Sequence, residues 1–315
     1  MRAIQTQYHG DQLTLNQSSD LVVGDDEVLI SVKVAGVNPV DTYIAAGTNG
    51  YTATFPHTPG LDASGVISEL GAKVTNFKVG QRVYCSGSKT GTCADFTVVG
   101  ASHVFPLSDQ LSFDQGACLG TPYATAWRAL FMRANCQSGE TIFIHGASGG
   151  VGLAVLQLAK AAGCTVFTSA GSVEGRELLK QQGADLVVNH LDNDHYQIVQ
   201  EAGGVDVILE MLANQNLGDD LPLLNMSGRV VVIGSRGPVE INPRNLMAKD
   251  ASIMGMSMAN ASPEQRTKIH EALFVNAEKN EINPVIAKRF ELTNSAEAHV
   301  AVMESGATGN VIINI

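Results

Sequence analysis

The segment Ile144-His145-Gly146-Ala147-Ser148-Gly149-Gly150-Val151-Gly152 follows an apolar, β-branched run and opens a stretch of helical composition. A glycine-rich turn between a strand and a helix is built for phosphate chemistry. Gly149 lets the backbone approach a pyrophosphate, and Gly152 lets the helix pack closely on the strands. The helix N-terminus supplies free N–H groups and partial positive charge. Ala147 stands where the first glycine of G-x-G-x-x-G is usual, so the pattern gains its weight from the surrounding strand–turn–helix context.

The end of the next strand discriminates between dinucleotides. An NAD site places Asp or Glu there to hold the ribose hydroxyls. This chain reads Ser169-Ala170-Gly171-Ser172, with no carboxylate until Glu174. Small and hydroxyl residues leave room for a 2′-phosphate, and Arg176 is the candidate charge partner, so the expected cofactor is NADPH. Two later segments occupy matching positions. Ile233-Gly234-Ser235-Arg236 closes the fifth strand, and Gly255-Met256-Ser257-Met258 lies at the sixth. Arg236 is placed to reach a phosphate and Ser257 to meet the nicotinamide.

These turns need a sheet to position them. Runs at 141–147, 164–171, 184–190, 205–212, 228–235 and 252–258 alternate with segments of helical length, notably 150–162 and 174–182. Apolar strands alternating with helices imply a parallel sheet covered on both faces. The reading is a doubly wound Rossmann domain over 118–258. Residues 1–117 carry short β-like runs (28–37, 63–70, 81–85, 95–99) separated by Gly, Pro and Asn, which suggests a compact, partly barrel-like β domain. Residues 259–315 hold one helix (263–279) and a final strand (310–315). That is too little for a core of its own, so this tail is expected to return to the first domain.

With 315 residues, 44% hydrophobic and 16% charged, the chain is globular and long enough for two buried cores. Its net charge of −11 argues against nucleic acid as a main partner, because phosphate contacts need a basic surface. No apolar run reaches the roughly 20 residues that span a bilayer, and no secretory signal is visible, so a cytoplasmic protein is expected. Cys85, Cys93, Cys118, Cys136 and Cys164 show no Cys-x2-Cys spacing and read as buried thiols.

Taken together, these blocks resemble the medium-chain dehydrogenase/reductase superfamily, in the quinone oxidoreductase branch that includes zeta-crystallin. The resemblance is carried by residues 36–43 (GVNPVDTY), 58–62 (TPGLD), 145–152, 210–214 (EMLAN), 234–237, 240–244 (EINPR) and 305–309. It implies a GroES-like β-rich catalytic domain in two sequence pieces, with the active site between it and the Rossmann domain. It also implies a homo-oligomer, dimer or tetramer. Carried over by position, the cofactor contacts it implies are Tyr43, Ser148, Gly149, Gly150, Val151, Gly171, His190, Asn216, Ile233, Gly234, Ser235, Arg236, Met256, Ser257 and Met258.

Zinc-dependent relatives place a cysteine in the segment matching 36–41 and a His-Glu pair after the glycine matching Gly60. Here Asn38 and Leu61-Asp62 stand instead. The four-cysteine structural lobe is also missing, and no tetrahedral zinc site is expected. Without a Lewis acid to acidify a hydroxyl, alcohol oxidation is disfavoured. Hydride transfer from NADPH to an electron-poor quinone or enone needs mainly positioning. Asn38, Asp41 and Tyr43 are the catalytic candidates for orienting the acceptor, with a structural turn around Pro39 the other reading of the first two. An arginine and a second tyrosine usual in this segment are replaced by Ala45 and Asn49, with Tyr51 nearby, and Asn310 replaces a usual lysine. A reductase of α,β-unsaturated carbonyls is the closest rival activity. Single-stranded RNA binding is a rival of another class, disfavoured by the charge.

Overall fold

The computed structural model describes residues 1–315, which divide into two compact units. One comprises Met1–Pro122 and His270–Ile315, and the other Tyr123–Ile269. The sequence reading placed the divisions at 117/118 and 258/259. The helix Pro263–Glu278 runs through the second of these changes of unit.

The first unit is organised around the strand Glu27–Val37. Its first half alternates buried and partly exposed positions, and from Val34 onward every residue is buried. The first half is therefore one-sided, and the second is covered on both faces. Its neighbours are Asp62–Leu70 and Asn310–Asn314, with Phe96–Gly100 paired along its first half. The sheet continues through Arg82–Ser86 to Val104–Pro106 on one side and to Ile286–Glu291 on the other. The last strand, 310–314, thus pairs antiparallel with residues 34–37 of the first piece. Asn310 is buried at its start and donates to the Val285 carbonyl at 3.0 Å. Val28, Ile30, Ile67, Val83 and Val99 form one core beneath the sheet.

The second unit holds six parallel strands, Thr141–Ile144, Thr165–Ser169, Leu186–Val188, Val205–Glu210, Leu224–Val232 and Ser252–Gly255. Across the sheet they run third, second, first, fourth, fifth, sixth, the order of a Rossmann sheet. The first strand pairs with both the second and the fourth. The chain order therefore reverses between Ile144 and Leu209, which lie in register. Phe143, Ile208, Val230 and Leu224 anchor the core. The helix Gly150–Ala161 buries Leu153, Val155, Leu156 and Leu158.

Residues 119–133, unassigned in the sequence reading, wind in turns wider than an α-helix on either side of Ala124–Trp127. All five cysteines are buried free thiols. No helix is long and apolar enough to cross a membrane.

Arg229 ties this unit together. Its guanidinium grips both oxygens of Glu140 at 2.7 and 2.8 Å and donates to the Ala134 carbonyl at 2.9 Å. Arg229→Met is expected to lower stability by about 1–3 kcal/mol, because Glu140 loses a bidentate, partly buried partner. Thermal or urea unfolding would measure the loss.

Candidate functional site

In the second unit, the sequence-predicted cofactor residues all follow the carboxyl ends of the six strands. Ser148, Gly149, Gly150 and Val151 lie after the first, Gly171 and Arg176 after the second, and His190 after the third. Asn216 follows the fourth, Ile233–Arg236 the fifth and Met256–Met258 the sixth. Ligands of such sheets bind along this edge, at the point where strand order reverses.

The first strand ends at Ile144, and Gly146 turns the chain with φ +55°. The helix begins at Gly150 with Gly149 as its N-cap, and no side chain caps it. Its first N–H groups therefore remain available to an anion. Gly152 is required by contact: a Cβ there would lie 2.5 Å from Ala147 Cα. The cradle fits a dinucleotide pyrophosphate.

After the second strand, Arg176 folds back so that Nη1 donates to the Gly171 carbonyl at 2.7 Å. A Cβ on Gly171 would come within 2.7 Å of His190 Nε2, so the bare glycine lets His190 close against this turn. His190 itself is exposed and lies beyond the third strand, which ends at Val188. Ser169 is fully buried, and its hydroxyl has no partner. Arg176 and His190 thus flank the Gly171 turn, and the first carboxylate of the chain after it is Glu174.

The later turns are tied to one another. The Glu210 carbonyl accepts from Ile233 N at 2.9 Å and Gly234 N at 3.2 Å. Asn214 Oδ1 accepts from Arg236 N at 2.8 Å. Arg128, buried in the wide-turn segment, donates to the Ser257 carbonyl at 2.9 Å. Sequence reasoning missed Arg128, because its segment has no recognisable helical period.

It also missed a buried cluster at the strand-order reversal. His145 Nε2 lies 2.6 Å from Asp220 Oδ1 and 3.5 Å from Glu210 Oε2. Glu210 Oε1 accepts from Leu212 N and, at 3.1 Å, from Asn216 Nδ2. Burial pushes both carboxyls up to about 7 and pulls the imidazole down. The legible signal was a charged residue closing each of two neighbouring apolar strands.

In the first unit, Asn38, Asp41 and Tyr43 belong to the start of the helix Pro39–Ala46. Asp41 Oδ2 accepts from the Asn38 N–H at 2.8 Å, and Asn38 Nδ2 donates to Asp62 Oδ2 at 2.9 Å. Asp62 Oδ2 also accepts from Thr121 N at 2.7 Å. Asn38, Asp41 and Asp62 are all buried, and the first two are bonded within the turn around Pro39. Tyr43 is half-buried, and its ring stacks on Tyr51 at 6.4 Å between centroids. Asn49, in the left-handed region at φ 54°, turns the chain that brings Tyr51 there. Asparagine tolerates that conformation better than tyrosine does.

The place where zinc relatives hold their metal offers no ligand set. Asn38 and Asp62 bond to each other, and neither a thiolate nor an imidazole joins them. The one convergence of three His, Cys, Asp or Glu side chains is His145–Glu210–Asp220. There the imidazole and a carboxylate are in direct hydrogen-bond contact, too close to admit an ion between them.

Two family profiles match: the alcohol dehydrogenase GroES-like domain over residues 24–121 and the zinc-binding dehydrogenase over 150–274. The chain is 44% identical to a mouse (Mus musculus) quinone oxidoreductase over 322 aligned positions, covering 99% of this chain and 97% of that protein. A mycobacterial structure complexed with NADPH superposes with a TM-score of 0.90 at 25% identity, each chain fully covered. An enoyl reductase structure superposes at 0.89 with 26% identity, covering 99% and 98%.

Two substitutions probe this geometry. Gly152→Val is expected to cost about 1–3 kcal/mol of stability, since its Cβ meets backbone, and to abolish dinucleotide binding measured by fluorescence titration. Asp41 is the second: burial, with a contribution from Asp62, raises its carboxyl to about 8, against the pull of the Asn38 N–H. Folding thus favours the protonated acid. That contribution is complete below about pH 4 and is lost as pH rises through about 8. Asp41→Asn mimics the protonated form, so its Tm should fall less between pH 5 and 9 than the parent's.

Proposed function

We propose that this chain, which belongs to the quinone oxidoreductase branch of the medium-chain dehydrogenase/reductase superfamily, is an NADPH-dependent quinone oxidoreductase that needs no zinc. The reading is carried by an end-to-end match to a quinone oxidoreductase in a chain whose residues leave no ligand set to polarise an alcohol.

When bound, NADPH supplies a hydride; a quinone that takes it up together with a proton becomes a hydroquinone. The chain's own residues supply placement. The uncapped N-terminus of the helix Gly150–Ala161 and the N–H groups of Ser148–Val151 hold the pyrophosphate. Arg176 and His190 hold the 2′-phosphate, with Gly171 making room. Asn216, Ile233–Arg236 and Met256–Met258 line the rest of the cofactor. In the first unit, Tyr43 is the acceptor-orienting hydroxyl. Asn38 and Asp41 act through it, holding the first turn of its helix. The Tyr43–Tyr51 stack offers a flat aromatic surface that suits a planar quinone.

A reductase of α,β-unsaturated carbonyls is the second reading, supported by the likeness to an enoyl reductase. It uses the same donor and delivers the proton to carbon. A cytoplasmic homo-oligomer is our reading of the assembly, supported by the family and by the absence of any membrane-length apolar helix. Analytical ultracentrifugation would test the oligomer.

Steady-state assays with a panel of quinones and enones decide between the activities. Quinone-dependent NADPH oxidation is expected to dominate, and no oxidation with any quinone would overturn the reading. Arg176→Ala should raise the KM for NADPH by about tenfold or more while leaving that for NADH nearly unchanged, because it removes one charge-assisted contact to the 2′-phosphate.

A further inference from the structure

Three ionisable side chains meet where the strand order reverses, and the proposed chemistry uses none of them. His145 closes the first strand and directly precedes Gly146 of the phosphate turn. Glu210 is the last residue of the fourth strand, and Asp220 the last of the helix Ala213–Asp220. Their exposures are 3%, 0% and 0%. The His145 and Asp220 side chains are in direct contact, while Glu210 Oε2 and Asp220 Oδ2 have no other hydrogen-bond partner.

The cluster reaches three of the turns assigned to the cofactor. Through its backbone, His145 carries the Gly146 turn and donates to the Leu209 carbonyl at 3.2 Å. Through its side chain, Glu210 fixes Leu212 N–H and the Asn216 amide. Through its carbonyl, Glu210 fixes the N–H groups of Ile233 and Gly234. A neutral imidazole with two carboxylates would place two negative charges in a dry interior, beside the edge that receives anionic phosphates. A retained proton lowers that charge and completes the short His145–Asp220 hydrogen bond.

We propose that His145, Glu210 and Asp220 are positioning residues for NADPH: a buried proton-sharing cluster that holds three cofactor turns in register and couples cofactor binding to proton uptake. The proposal rests on the NADPH reading above. Protonation relieves repulsion of the incoming phosphates, so NADPH binds the protonated cluster more tightly. By linkage, bound NADPH raises the cluster's affinity for the proton. The groups facing the cluster are Tyr196, whose ring lies 6.1 Å from that of His145, and His195, tilted against Tyr196 at 3.9 Å between centroids. Asp219 adjoins Asp220, and His190 with Arg176 lies across the second and third strand ends. Burial holds His190 below its ordinary value and Tyr196 above its own. A phosphate's second ionisation, near pH 6, also falls below the range from pH 7 to 9.

The test is the dissociation constant for NADPH, by fluorescence titration, from pH 7 to 9. In the unmodified chain it should rise by about tenfold across this range. In Glu210→Gln and Asp220→Asn the rise should shrink below about threefold, while Glu201→Gln, an exposed carboxylate of the same unit, should keep the full slope. A pH-independent constant in the unmodified chain, or a full slope in both cluster variants, would overturn the proposal. A second measurement needs no variant. Calorimetric titration with NADPH at pH 7.5, in buffers of different ionisation enthalpy, should show uptake on the order of half a proton, and zero uptake sinks the idea. NADPH binding without a slope removes this proposal alone; no NADPH binding at any pH removes the cofactor reading as well.

Discussion

In a parallel sheet every strand points its carboxyl end at the same edge, and the rest of the second unit follows from that constraint. Six strands deliver six turns to one line, and each turn must expose backbone N–H groups or small side chains rather than bulk. Gly152 meets Ala147, and Gly171 meets His190, at distances that exclude a Cβ. The same edge collects the strand-end residues His145 and Glu210, whose side chains have no route to solvent. Their pairing with Asp220 is a consequence of the strand order, because only the reversal makes the first and fourth strands neighbours.

The first unit solves a different problem. Zinc relatives use this region for metal ligands, and here the residues at the corresponding positions hydrogen-bond to one another. Asn38 links Asp41 and Asp62, and Thr121 N–H donates to the same Asp62 oxygen as Asn38 does. Such a network tolerates burial because its carboxyls rise towards neutrality, Asp62 to about 6 and Asp41 to about 8, chiefly through desolvation. The aromatic pair Tyr43 and Tyr51 is the surface we propose to meet the substrate. A surface of that kind recognises flat, electron-poor rings by stacking rather than by Lewis acidity.

Much of this was legible in the chain. The strands at 141–144, 165–169, 205–210 and 310–314 coincide with runs rich in apolar and β-branched residues, as burial on both faces favours. The phosphate turn was legible because its glycines sit between a strand and a helix, and the cofactor choice because Ser169–Ser172 lacks a carboxylate. Other elements left no such trace. The hairpin of Arg2–Gln5 with Thr14–Gln17 and the strand Ile286–Glu291 are short and mixed in polarity. Residues 119–133 wind with a period that matches neither template, and Pro122 within them reads as a break. The helix Pro39–Ala46 is eight residues long and looked like a turn around a proline.

By itself the sequence determined the class of sheet and the preference for NADPH, because these depend on local periodicity and on which side chains are missing at one strand end. Only the tertiary structure showed Asn38 and Asp41 hydrogen-bonded at the start of their helix and brought Tyr51 to Tyr43. It alone joined His145, Glu210 and Asp220, residues separated by up to 75 positions. Burial and contact between distant residues depend on how elements pair across the sheet, and no local pattern of residues encodes that.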